Sequence, residues 1–288
     1  MKHYGIPYQG SKEKILPLIQ YIFDRESNKK YLIDPFCGGF SVCAYALERT
    51  RFKVWANDFN KYEVALYKEM LFNNSREIKK VWLEWISREK FNDIKVNPDK
   101  YPDWYVGYVL TIWSFGNSQK NYLFGKDIEE MKRQAHEYLL LNGYDGFAET
   151  RIKLVKEFKK KALLEGRFEL QQLERLDSLD WYDFTQSIPK EILKDSFIYC
   201  DPPYENTSKY QVNEMDYDKF WSWFRNCPYP VYVSSYVAPE DIKPIKNEYK
   251  TSLLSSKSRE KKVENIYFNG QGQPSITMYD LLFNKVEA

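Results

Sequence analysis

Histidine is almost absent from this chain of 288 residues, which has only His3 and His136. That argues against a histidine-rich metal centre and against a nucleophilic triad built on an imidazole base. Cysteine is scarce too. Cys37, Cys43, Cys200 and Cys227 form no CxxC pair and no disulfide-like framework, so reduced thiols and a cytoplasmic location are expected. No apolar stretch is long enough to cross a membrane, and the opening Met1-Lys2-His3-Tyr4-Gly5-Ile6-Pro7-Tyr8 is too polar for a signal peptide. An excess of one charge is also lacking. The net charge of +2 gives the whole molecule little pull on a polyanion. Two local clusters, Lys156/Lys159/Lys160/Lys161 and Lys257/Arg259/Lys261/Lys262, read as solvated faces or as phosphate contacts. There is no internal repeat and no low-complexity linker.

What the chain does have is apolar and aromatic mass, 43% and 17% of residues, enough for a packed core with a sizeable insertion. Tyr31-Leu32-Ile33-Asp34-Pro35-Phe36 reads as a strand ending in a turn, for which Cys37-Gly38-Gly39-Phe40 supplies the glycines. Ser41 can cap a helix over Val42 to Leu47. Phe52 to Ala56 reads as a second strand ending at Asn57-Asp58, and Glu63 to Phe72 as a helix. This alternation predicts an α/β fold with parallel strands. The segment from about Ser75 to Gly166 is helix-rich and charged and carries Trp82, Trp85, Trp104 and Trp113, which read as core. Its turn-rich part is Ser114 to Gln119, continuing to Tyr122 through Lys126. A long insertion in an α/β core is usually functional. The sheet pattern resumes near Phe168-Glu169-Leu170, at Phe197 to Cys200 and at Val231 to Ser235, the last preceded by a helix around Tyr217 to Phe224. Asn265 to Phe268 and Ile276 to Tyr279 read as a closing pair of strands.

The densest chemistry is Asp201-Pro202-Pro203-Tyr204, directly after the apolar run Phe197-Ile198-Tyr199-Cys200. Two prolines have no N–H to give a sheet ladder, so the strand must stop there. It leaves a carboxylate, a stiff backbone with carbonyl acceptors and an aromatic ring where open α/β sheets bind ligands. A carboxylate with a carbonyl accepts hydrogen bonds from an exocyclic amine, and the ring can stack on a flat heterocycle. Asp34 with its glycine turn, and Asp58, end two further strands at the same edge. Gly38 and Gly39 let a cofactor approach the backbone, and Asp58 stands where an acid can accept bonds from ribose hydroxyls. Taken alone, this turn suits a nicotinamide cofactor equally, although the spacing is not GxGxxG.

Together these motifs resemble the Dam-like, D12 class of DNA adenine-N6 methyltransferases. Asp34-Pro35-Phe36-Cys37-Gly38-Gly39-Phe40 is similar to that family's DPFxGxG cofactor loop, Asp58 matches its ribose-binding acid, and Asp201 to Tyr204 is its DPPY motif. Pro7-Tyr8-Gln9-Gly10-Ser11-Lys12 resembles its amino-terminal W-x-G-x-K element, with Tyr8 in place of tryptophan. Val263 to Asn269 resembles a late family element. The chain departs from the family in its adjacent glycines, with Phe40 where a glycine is usual.

The resemblance implies a Rossmann-like methyltransferase sheet over residues 1–74 and 167–288 with a target-recognition insertion over 75–166. It implies S-adenosylmethionine as methyl donor and double-stranded DNA as partner, with no metal and no membrane. It gives Asp201, Pro202 and Tyr204 catalytic roles, and Tyr8, Lys12, Asp34, Phe36, Gly38, Asp58 and Asp201 cofactor contacts. The adenine must be flipped out of the duplex to reach such a site, with Tyr204 stacking on it. Adenine in RNA, cytosine N4 in DNA and a decayed DNA-binding module remain as alternatives.

Overall fold

The computed structural model describes residues 4–6, 8, 10–73, 81, 84–142, 172–203, 215–251 and 261–272. Two compact units partition the chain. One comprises Met1–Ser11, Gly38–Ala44 and Asn60–Leu170; the other comprises Lys12–Cys37, Tyr45–Phe59 and Gln171–Ala288.

The second unit carries a seven-stranded sheet. Its strands are β1 (Tyr31–Asp34), β2 (Lys53–Asn57), β3 (Leu173–Asp177), β4 (Ser196–Cys200), β5 (Val231–Ser235), β6 (Pro244–Thr251) and β7 (Lys261–Phe268), in the spatial order β3-β2-β1-β4-β5-β7-β6. β1 to β5 are parallel, and β7 runs antiparallel between β5 and β6. The strand order reverses between β1 and β4, and such a switch point is where an open parallel sheet leaves a crevice at its carboxyl edge.

Local sequence explains most of these elements. β1, β4 and β5 are buried at every position, as central parallel strands covered on both faces must be. One face packs on α7 (Trp181–Gln186) and α9 (Tyr217–Asn226): Ile33, Ile198, Cys200, Val231 and Val233 meet Trp181, Phe184, Phe220, Trp221 and Phe224. Asp180 and Asp216 cap these helices, accepting from the amides of Tyr182 and Lys219 at 2.9 Å each. On the other face α1 (Leu16–Arg25) brings Phe23 edge-on to Phe52 and Phe197. The expected strands at β1, β2, β4 and β5 are found within a residue or two of their predicted limits, and the one expected over Asn265 to Phe268 starts four residues earlier, at Lys261. β3 and β6 are additions. β3, Leu-Glu-Arg-Leu-Asp, is a charged edge strand, held by a Lys53–Glu174 ion pair and by Trp55 Nε1 donating to Glu174 at 3.0 Å. β6 is the other edge, and it pairs with β7. The segments 168–170 and 276–279 and the cluster around Lys156 lie outside the described residues.

In the first unit, α3 (Lys61–Lys68) packs on α5 (Asp103–Ile112), with α4 (Arg88–Val96) and α6 (Glu129–Asn142) completing it. Gly107 decides the first contact: a Cβ there would stand 2.2 Å from the Tyr62 carbonyl oxygen. Trp113 is buried and, with Trp85, Phe124 and His136, forms an aromatic cluster, so His136 packs against aromatic rings. Trp82 lies outside the described residues. Among the described residues, no helix is long and apolar enough to cross a membrane.

Glu26, just after α1, is buried and accepts the Tyr232 hydroxyl at 2.6 Å. Burial raises its pKa above the ordinary 4.5, against the lowering effect of Tyr232, Lys29 and Arg25. The folded state therefore holds this proton more tightly than the unfolded chain. Stability from this group is fully present below pH 4.5 and is lost as pH rises through the folded value. Glu26→Gln keeps an acceptor for Tyr232 and removes the buried charge. Urea titrations should show the variant gaining on the wild type as pH rises from 4.5 to 8, with no gain at the acid end.

Candidate active site

At the switch point, Asp34 ends β1 and Asp201 follows β4; the strands pair from Tyr31 with Ser196 to Ile33 with Ile198. Asp34 is buried and its Oδ1 accepts the Phe36 amide at 3.1 Å, which tightens the turn after the strand. Phe36 stacks on Trp181 and meets Phe220 edge-on. Buried Asn57 ties the same turn to its neighbours. Its Nδ2 donates to the Pro35 and Leu179 carbonyls at 3.1 and 3.0 Å, its Oδ1 accepts the Leu179 amide, and its carbonyl accepts the Cys37 amide at 2.8 Å. Asp58 follows β2, half-buried, with its amide on the Asp177 carbonyl.

Asp201 is surrounded by groups that fix it. Lys12, only 2% exposed, places its ammonium 2.7 Å from Oδ2 and 3.6 Å from Oε1 of Glu264, a fully buried carboxylate on β7. The Ser234 hydroxyl donates to Oδ1 at 3.3 Å and shares a 2.8 Å hydrogen bond with the Tyr199 hydroxyl. Burial, reinforced by Asp201, Glu264 and Asp34, pushes the Tyr199 phenol far above its usual range, so it remains a neutral hydroxyl. Tyr236 is pushed up to about 12 by burial, by the charges of Glu264 and Asp201, and by its hydrogen bond to Glu264. Pro202 is buried and Pro203 exposed; the Pro203 carbonyl accepts the Tyr217 hydroxyl at 2.5 Å, which anchors the tetrapeptide to α9. Tyr204 lies outside the described residues.

Tyr8 and Gly38 belong to the first unit. Gly38 has φ +43° and Phe40 φ +59°, so two residues of the turn are left-handed. Gly38 takes this at no steric cost. Phe40 stands where the resembling family has glycine, which fits the left-handed backbone there. It is buried and stacked on Tyr67 at 4.9 Å, a contact that offsets the strain. The Tyr67 hydroxyl donates to the Gly38 carbonyl at 3.1 Å. Gly39 is small for a reason other than the one expected. A Cβ there would meet the Tyr8 Cβ at 2.5 Å, so the space beside it belongs to the amino-terminal segment. The Ile6 amide donates to the Gly39 carbonyl at 3.0 Å along the same contact.

A family model of the D12 class N6 adenine-specific DNA methyltransferases matches residues 8–267. The chain belongs to that family. It is therefore a site-specific DNA methyltransferase that acts on adenine N6, and methyltransferases of this kind in general draw the methyl group from S-adenosylmethionine. No curated protein matches the sequence. Three side chains that hold this strand edge were not singled out from sequence: Ser234, Tyr217 and Glu264. Ser234 closes an apolar strand at the expected edge, a position that was legible without its role. Glu264 carries a clearer signal, a carboxylate two residues before Ile266 on the buried side of a strand.

The Gly39 contact is open to test. Gly39→Ala should cost about 1–3 kcal/mol through overpacking and loosen Tyr8. Thermal melts and limited proteolysis of the amino terminus should report both effects.

Proposed function

We propose that this enzyme methylates adenine N6 in double-stranded DNA, with Asp201 and the Pro202 carbonyl holding the amino group of a flipped base. The observation that carries this reading is the Asp201 carboxylate at the switch point, with ion-pair and hydrogen-bond partners on both its oxygens. Adenine N6 is a weak nucleophile because its lone pair is delocalised into the ring. Hydrogen bonds from its two N–H groups to Asp201 and the Pro202 carbonyl favour a tetrahedral nitrogen and aim its lone pair. This is preorganised positioning, realised without movement of the protein at the moment of reaction. A bound donor would supply the electrophilic methyl to the nitrogen that Asp201 and the Pro202 carbonyl hold, and the N6 proton would pass to water after the transfer, so no histidine base is required. Tyr204 is assigned the stacking role on the extruded base by the family motif.

The residues present fit S-adenosylmethionine, which supplies an electrophilic methyl on a sulfonium. Asp34, Asp58 and Asp201 stand at this edge against one ammonium, that of Lys12, that is buried among the described residues, and a carboxylate-rich edge suits a cationic donor. Asp34, Phe36 and Asp58 would hold it. On the resemblance alone, Tyr8, Gly38 and Lys12 are cofactor contacts, and the ion pair with Asp201 gives Lys12 a second role.

The insertion over 75–166 is assigned target recognition. Its loop from Ser114 to Gln119 supports this. Gly116, Asn117 and Gln119 all have positive φ, and Phe115 is 63% exposed at the bend. The loop is nevertheless firmly anchored. Gln119 donates to Glu63 and accepts from Asn60 at 3.1 Å, while Thr111 also donates to buried Glu63. An aromatic ring held out on a rigid loop is suited to contact nucleic-acid bases.

Single-molecule sequencing of host DNA with and without this gene tests the assignment, since it reports the modified base and its sequence context together. Expected is N6-methyladenine at one short sequence; modified cytosine, or no modification, counts against the proposal. Asp201→Ala should lower turnover by at least about 10³-fold with the fold retained, because it removes the principal acceptor. Phe115→Ala should weaken DNA binding while the melting temperature and cofactor affinity stay unchanged.

A further inference from the structure

We propose that Glu264 is a positioning residue for methyl transfer, a second seat for the Lys12 ammonium that frees Asp201 when the adenine amino group arrives. This rests on the proposed role of Asp201 as the acceptor for N6.

The competition is visible in the contacts of Asp201. Lys12 stands on Oδ2 at 2.7 Å and Ser234 on Oδ1 at 3.3 Å. An ammonium and an amino group are both N–H donors, and each seeks the same carboxylate. Charge sharpens the conflict. Before methyl transfer the adenine amino group is neutral; as the N–C bond forms, N6 becomes cationic. A lysine cation seated on the same carboxylate would repel that growing charge at short range in a partly desolvated site. A lysine without another partner would not leave, because an unpaired buried cation is costly.

Glu264 removes this obstacle. Its Oε1 lies 3.6 Å from Lys12 Nζ, a gap that small torsional changes along a four-carbon side chain can close. Glu264 is fully buried, and the Tyr236 hydroxyl donates to it. The two carboxylates thus offer Lys12 one seat that is partly open, on Asp201, and one that is closed to solvent, on Glu264. Sequence pattern agrees. β7 alternates so that Glu264 and Ile266 fall on the same side of the strand, and both are fully buried. A carboxylate therefore stands where strand packing alone calls for an apolar side chain. The transfer of Lys12 to Glu264 keeps every buried charge paired and exposes Asp201 Oδ2 to the base.

The test compares binding of two duplexes carrying the methylation site found by sequencing, one with adenine and one with purine at the target position, both with S-adenosylhomocysteine. Purine lacks the N6 amino group, so the ratio of the two dissociation constants isolates the contact with Asp201. Glu264→Gln leaves the Lys12–Asp201 pair intact and should fold. It should reduce the preference for adenine by about fivefold and lower kcat by about tenfold, with cofactor affinity unchanged. Lys12→Met should raise the preference for adenine. In the Lys12→Met background, Glu264→Gln should have no further effect on the ratio, since Glu264 acts only through the lysine. If Lys12→Met does not fold, the ratio and kcat of Glu264→Gln decide the matter alone. Equal weakening of both duplexes by Glu264→Gln, an unchanged ratio, or the same loss in the Lys12→Met background would overturn the inference. A wild type that does not methylate adenine would instead remove the parent reading.

Discussion

The ion pair between Lys12 and Asp201 is the contact on which the site is organised. It joins the residue that follows the amino-terminal segment to the residue that follows β4, far apart in sequence and adjacent in space. Lys12 is almost fully enclosed, and its ammonium is paired there between Asp201 and Glu264. That constraint fixes where the carboxylate must stand. Ser234 and Tyr199 complete the arrangement from two neighbouring strands through hydroxyls, one of which burial keeps neutral. On the proposed reading, a weakly nucleophilic amine needs an acceptor that is already in place, and this network would provide it.

Around this pair the sheet edge is held by backbone and amide contacts. Asn57 links the turns after β1 and before α7, Asp34 folds its own turn, and Tyr217 holds the Pro203 carbonyl. Asn57 and Tyr217 bring no charge of their own. Their effect is to convert three strand ends into a rigid rim, since each turn that lacks helix or sheet partners finds one in a neighbouring side chain. The glycine turn follows the same logic in its own unit. There, a positive φ at Gly38 and Phe40, the Tyr67 stack and the close approach of Tyr8 leave it little freedom.

Much of the fold was legible because central parallel strands are uniformly apolar and end abruptly. Tyr31 to Asp34, Phe197 to Cys200 and Val231 to Ser235 needed no tertiary information. β3 and β6 were not legible, because an edge strand pairs on one side only and tolerates the charges of Glu174, Arg175 and Lys246. The closing strand Asn265 to Phe268 was recognised, but β6, which pairs with it, was not. For the site, the carboxylates at strand ends stood out and their partners did not. Lys12 was expected to contact the cofactor, and only the folded chain gives it two acidic neighbours.

The sequence by itself determined the class of chemistry. Two prolines after an apolar strand force a stop, an acid precedes them, and a glycine turn follows another strand; these are local rules of backbone geometry and hydrogen bonding. The tertiary structure alone decided how the acid is held. Lys12, Tyr199, Ser234 and Glu264 reach one another across four segments of the sheet unit, and such contacts depend on strand order and register, which no local pattern encodes.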